Sequence, residues 1–261
     1  MTAVFPTRRS VVHGWDLLLT LVARDVKLRY RRSVLGVAWS LLNPLLQLLI
    51  FNFVFSSLLP LKVPDYTAFL FIGILVWVWF QSSLMGATSA VIDNGLLIRQ
   101  PGFPESVLPV VTVISNLVNF VLAFPILLVF LLLAGHVPTQ AVLALPCIMT
   151  VQLVLTLSLA YLLASVHVRF RDTQYLISVV LMLGFYLAPV FYDPRQIPPD
   201  YQTLYQLNPM VHVLNAYRKV LIAGRSPDWT PLAVITGVSI VILTFTFGMF
   251  NRASHRFIEE L

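Results

Sequence analysis

Six apolar runs decide most of what this chain can become. They occupy residues 34–59, 66–92, 107–134, 141–167, 173–192 and 230–251. Crossing the ~30 Å hydrocarbon core of a bilayer takes about 20 helical residues, and each run supplies that length. Within lipid every backbone N–H and C=O must be satisfied inside the segment that carries it, so such runs fold as helices. Breakers separate them: Pro60 and Pro64, then Pro101, Gly102 and Pro104, then Gly135 and Pro138. No internal repeat is evident. The expected fold class is an all-α integral membrane protein in which residues 34–261 form one domain of six transmembrane helices, behind a cytoplasmic N-terminus of residues 1–33.

Composition carries the same message. Of 261 residues 58% are apolar and 11% charged, whereas soluble domains carry about a quarter charged. A water-soluble fold could not give that much hydrocarbon a polar cover. The net charge of +6 does not point to nucleic acid, because Arg8, Arg9, Arg24, Lys27, Arg29, Arg31 and Arg32 all crowd before the first run. That placement follows the positive-inside bias and suits anionic lipid headgroups. With the N-terminus inside, those seven join Arg99, Arg169, Arg171, Arg252 and Arg256 on the cytoplasmic side. Lys62, Arg195, Arg218, Lys219 and Arg225 remain outside, so both termini are expected in the cytoplasm. Thr7-Arg8-Arg9-Ser10 faintly echoes a twin-arginine signal, but Asp16 interrupts the apolar core after it and no cleaved signal is expected. Cys147, the single cysteine, leaves no intrachain disulfide to form.

Two segments depart from a plain six-helix pattern. Across residues 15–31, Trp15, Leu18, Val22 and Val26 share one helical face, while Thr20, Arg24, Lys27 and Arg31 share another. This predicts an amphipathic helix lying in the cytoplasmic interface, its basic face toward membrane lipids. Residues 193–228 carry Pro194, Pro198, Pro199 and Pro209 and then an apolar stretch. Asn208 followed by Pro209 reads as an N-cap with proline at the first helical position, and Gly224 as the stop. A helix over 208–224 is too short to span and too apolar for water, which predicts a re-entrant outer hairpin. Arg218 on that helix is expected to snorkel outward, pair with a carboxylate, or face a conduit.

The chemistry-bearing patterns are sparse. There is no P-loop, dinucleotide fingerprint, His-Glu-x-x-His or cysteine pair, so no catalytic group, metal site or cofactor is expected in this chain. The runs contain almost no ionisable residues, which disfavours an ion-driven carrier, since something inside must bind the coupling ion. An intramembrane enzyme would need convergent acid–base or nucleophilic groups, and none assemble. Arg169 and Arg171 sit at a predicted helix C-terminus, and Asp172 at the next N-terminus, where its carboxylate is expected to cap. On the first run Ser40, Asn43, Gln47, Phe51 and Phe55 recur at steps of three or four. Such a stripe either lines a path for a sugar chain, offering hydroxyl partners and aromatic faces, or serves as glue between helices. Both readings stay open at this point.

Specific words in the sequence extend the picture. Arg24-Asp25-Val26-Lys27-Leu28-Arg29-Tyr30 with Ser33-Val34-Leu35-Gly36-Val37-Ala38-Trp39, and Leu97-Ile98-Arg99 with Phe103-Pro104 and Leu108-Pro109, occur in order. Arg171-Asp172, Ala188-Pro189-Val190-Phe191-Tyr192, Asn208-Pro209-Met210 and Tyr217-Arg218 follow. Together they resemble the polysaccharide-exporting ABC transporter permeases, over residues 24–218. The resemblance implies a homodimer in a bacterial inner membrane, moving a lipid-linked polysaccharide such as an O-antigen, a capsule or a teichoic acid. It implies a separate ATPase subunit, which binds the ATP and Mg and docks on a coupling loop over residues 93–106. Arg99, Phe103, Pro104 and Glu105 are the coupling candidates, with Phe103 as anchor. Pro189, Tyr192, Asn208, Pro209 and Arg218 are the outer-gate candidates. Glu105 and Ala188 depart from the residues common at those places in the family. The same fold could instead carry a drug or a small lipid.

Overall fold

The computed structural model describes the backbone of residues 8–30, 38–58 and 63–260. Among the described residues the chain is helical, with no strand. Helix α1 (Arg8–Tyr30) precedes α2 (Ala38–Asn52), which runs on into a π-helical turn, Phe53–Leu58. Then come α3 (Tyr66–Asp93), the one-turn α4 (Gly95–Ile98), α5 (Val107–Leu133) and α6 (Leu145–Arg169), the last entered through a 3-10 turn at Gln140–Ala144. Helices α7 (Thr173–Leu187), α8 (Pro199–Gln206), α9 (Pro209–Leu221) and α10 (Trp229–Glu260) complete the chain. Arg31 and the junction 31–37 lie outside the described residues, as does the side chain of Ser40.

Four stretches are long and apolar enough to cross a membrane unaided: Tyr66–Asp93, Val107–Leu133, Gln140–Arg169 and Trp229–Ser254. The other two expected runs yield shorter apolar helices, Leu42–Ser56 and Thr173–Leu187. The run expected to continue to Tyr192 stops at Leu187. Proline at 189 pushes the preceding residue out of the helical region, and Ala188 is extended at φ −93°, ψ 149°.

Helix α3 is the axis of the bundle. Of its apolar stretch 78% is buried, against 22% to 33% in the other three long helices. A helix apolar all round belongs inside, and α3 has that composition. Its Leu70, Ile72 and Ile74 are fully buried, and Trp79 is 2% exposed. The amide of Gln152 on α6 donates to the carbonyl of Val76 at 3.0 Å, a bond between spans where water is scarce. Small residues let α6 and α10 approach: Ala160 and Ala164 are fully buried. There Tyr161 packs edge-on against Phe247 and Phe250, with ring centroids 5.3 and 5.4 Å away.

Much of the apolar face of helix α1 packs on protein, while Trp15 on that face stays exposed. Leu17, Leu18, Leu21, Val22 and Val26 meet Val107, Val111, Ile114 and Val118 of α5. Those four recur at steps of four, three and four, so they form one ridge that a second helix can cover. Arg24 and Lys27 are exposed, Arg24 at the edge of the contact with α5.

The 193–228 segment also differs in detail. It folds as two helices, because Pro199 begins α8 rather than breaking the chain. The side-chain oxygen of Asn208 accepts from the backbone N–H of Met210 at 3.0 Å, and Pro209 opens α9, both as anticipated. Helix α9 ends at Leu221, before Gly224, whose φ of +61° turns the chain. Asp172 stands at the N-cap position of α7 but accepts no capping hydrogen bond there, contrary to expectation.

Candidate functional site

Three groups of candidate residues fall at three levels of the bundle. The first is the turn between α3 and α5. The chain leaves α3 at Asn94, whose amide donates to the carbonyl of Ala90, and makes the single turn α4 before Gly102 reverses it at φ +79°. One helical turn cannot hide three successive apolar residues. Ile98 points inward and is 2% exposed, in a cluster with Ala90, Val91 and Leu108, while Leu96 stands out at 86% exposed. Leu96 shares a cleft of about 390 Å³ with Ile92, Asp93, Gly95, Arg99 and Arg171.

Phe103 is placed differently from its expected role. Its ring is half-buried between the α1–α5 cluster and the Ala90–Ile98 cluster, so it ties α1 to the turn instead of projecting as an anchor. Pro104 is exposed and Glu105 half-buried beside it. Leu96 and Arg99 are among the exposed side chains of the turn. Sequence reasoning missed Leu96; its signal was three apolar residues in a row, directly after a glycine, in a turn otherwise built of polar residues and breakers.

The stripe on α2 divides into two halves. Asn43 lines a cavity together with Arg29 and Asn116, and Gln47 is half-buried above it. Phe51 and Phe55 do not offer free faces. They stack on Phe191 with centroids 5.9 and 5.5 Å away, and Phe51 also meets Phe185 at 5.6 Å. Such ring pairs fasten α2 to the end of α7.

The third group surrounds Arg218, and none of its three expected placements is found. The residue is 6% exposed. Its Nη1 donates to the carbonyl of Pro189 and its Nη2 to those of Val190, at 2.8 Å, and Phe69, at 3.2 Å. Nε reaches the Phe69 carbonyl at 3.3 Å, and the guanidinium carbon lies 3.3 Å from the centroid of the Phe69 ring. The hydroxyl of Tyr66 donates to the carbonyl of Phe191 at 3.0 Å. Residues 189–191 have left the helix and point three successive carbonyls into a dry interior. An arginine from α9 and a tyrosine from α3 satisfy all three, which is what permits irregular backbone at this depth. Gly73 belongs to the same arrangement. A Cβ there would run into the carbonyl oxygen of Val190 and lie 2.7 Å from Nη2 of Arg218. Of the other gate candidates, Pro189 contributes the carbonyl already described, while Tyr192 packs on Phe191 at 5.1 Å and faces Tyr205 at 6.4 Å.

Long apolar helices around a buried axial one, with a charged, leucine-tipped turn at one end, define a multi-pass membrane protein of transporter build. The chain belongs to the ABC-2 type transporter family, whose model matches residues 16–222. It is 37% identical over 97% of its length, and 98% of the relative's, to the O-antigen export system permease protein RfbA of Myxococcus xanthus. It is 30% identical to a protein of the same name in Klebsiella pneumoniae, over 95% of both chains. Polysialic acid transport protein KpsM of Escherichia coli is 21% identical over 88% of this chain and 91% of its own. Family membership makes the chain the membrane subunit of a transporter.

Proposed function

We propose that this chain is the permease half of an ABC exporter that moves a lipid-linked polysaccharide, O-antigen-like in kind, across the inner membrane of a bacterium. The observation that carries this reading is similarity along nearly the whole chain to permeases named for polysaccharide export, at 37% identity in one case. In this reading α2, α3, α5, α6, α7 and α10 are six spans, both termini are cytoplasmic, and two copies enclose the path. Exposed apolar side chains along α7, among them Leu176, Val180, Leu183 and Leu187, supply surface for lipid or for the second copy. A separate ATPase binds ATP and Mg and docks on α4 and Arg99. Helices α8 and α9 form the outer re-entrant hairpin: α9 is about 20 Å long at ~1.5 Å per residue, too short to span.

Deleting the gene from its host tests the reading. The expected result is loss of the surface polysaccharide with lipid-linked polymer accumulating inside the cell, restored by the wild-type chain. A deletion strain with unchanged surface polymer would contradict it.

A further inference from the structure

A cavity of about 250 Å³ lies between α1, α2, α3 and α5, distinct from the coupling turn and from the Arg218 brace. Its polar lining is Arg29, Asn43, Ser82, Asn116 and Asn119, and its apolar walls include Trp79 and Phe120. At ~1.5 Å per residue Asn116 lies about 14 Å along α5 from Val107, and Ser82 about 16 Å along α3 from Asp93. The cavity therefore lies part-way along the bundle, with Arg29 at its exposed edge.

Arg29 is brought there by the α1–α5 ridge. Its Nη1 donates to Oδ1 of Asn116 at 2.8 Å, while Nδ2 of Asn116 donates to the carbonyl of Thr112 at 2.9 Å. That chain fixes which way the amide points and aims the guanidinium. The carboxylate nearest to hand, Asp25, is 3.5 Å away on the same helix, an exposed pair of little strength. No carboxylate lines the cavity. A guanidinium has five N–H donors, so Arg29 keeps capacity for an acceptor that arrives from elsewhere. A guanidinium set against apolar walls suits an anion with several oxygens attached to something greasy. Arginine's planar fork matches phosphate oxygens in pairs. Ligand cavities start at roughly 300 Å³, so the volume fits a headgroup and excludes a polymer.

We propose that this cavity is a phosphoryl-binding site that receives the phosphate or diphosphate headgroup of a lipid. Two sources share that chemistry, a polyprenyl-linked sugar diphosphate and a bilayer phospholipid. Choosing the first rests on the exporter reading; the site itself does not.

The test uses the purified full-length chain in phosphatidylcholine nanodiscs, titrated with farnesyl diphosphate. Saturable binding is expected, with farnesol failing to compete. Arg29→Gln is expected to weaken binding at least about tenfold, the worth of one hydrogen bond to a charged group. Arg29→Lys should weaken it less, because an ammonium keeps the charge without the planar fork. Arg225→Gln, an exposed arginine remote in sequence, should bind as wild type does, and thermal melting in the same discs verifies that each variant is folded. Competition by inorganic pyrophosphate assigns recognition to the diphosphate, whereas competition by phosphatidylglycerol at equal concentration assigns the site to bilayer phospholipid. Absence of saturable binding, equal binding of farnesol, or unchanged affinity in folded Arg29→Gln would overturn the proposal. The assay needs neither ATPase nor export. Binding that persists although gene deletion spares the surface polymer would sink the exporter reading alone; the reverse pattern would sink this site alone.

Discussion

Replacing Arg218 by alanine is expected to lower the melting temperature of the detergent-solubilised chain by roughly 10 °C and to abolish export. The guanidinium serves the carbonyls of Pro189, Val190 and Phe69 from a position only 6% exposed. Each buried acceptor left without a donor costs about 1–3 kcal/mol, and a chain of this size loses about 2–4 °C per kcal/mol. Arg218→Lys should recover little, because an ammonium is a point charge and cannot span carbonyls from two separate segments. Gly73→Ala should reproduce the loss by another route, since its Cβ would displace the same Val190 carbonyl. Both changes act on residues 189–191, so the double variant should lose less than the sum of the single ones. The check is thermal unfolding of the four proteins, and strict additivity would show that Arg218 and Gly73 do not share a structural role.

Leu96→Asp is expected to leave expression and melting unchanged while reducing ATPase affinity about thirtyfold or more, the roughly 2 kcal/mol of a hot-spot side chain. At 86% exposure Leu96 supports nothing inside its own chain. Beside it Arg99 and Arg171 line the same cleft, so an acidic groove on the partner would complement the turn. Phe103→Ala should act differently. It removes the ring that joins α1 to the turn, so it should lower stability as well as coupling. Co-purification of the ATPase with each variant, together with melting curves, distinguishes the two. Equal retention of the ATPase by Leu96→Asp would remove α4 from the docking surface.

Much of the fold was legible because bilayer physics leaves few options. Every expected run contains a helix, and Asn208-Pro209 begins one through local chemistry that needs no distant partner. Most of the misreadings depended on what another part of the chain brings near; the length of the fifth run did not. The run to Tyr192 stops early because Pro189 forces Ala188 to extend, a local rule masked in the sequence by continuous hydrophobicity. Helix α1 carried a visible apolar face, but its partner, the Val107–Val118 ridge, can be recognised only once the two helices are adjacent. Arg218 is the clearest case. As a residue on an isolated helix it had to reach water, an acid or a conduit. Its actual partners are backbone carbonyls from α3 and from the irregular stretch after α7, which no side-chain pattern announces. The turn over residues 93–106 was legible as a break between two helices, whereas the direction of each side chain within it was not: Phe103 is half-buried and Leu96 projects. The polar stripe of α2 hid a division: Asn43 faces the Arg29 cavity, while Phe51 and Phe55 are taken up by Phe185 and Phe191.

Direct transport is the measurement closest to the central claim. Inside-out proteoliposomes containing this chain and its ATPase should accumulate an added lipid-linked oligosaccharide only when ATP and Mg are supplied, and should fail when Leu96→Asp replaces the wild-type chain. Accumulation at the same rate without ATP, or by this chain without the ATPase, would contradict the account.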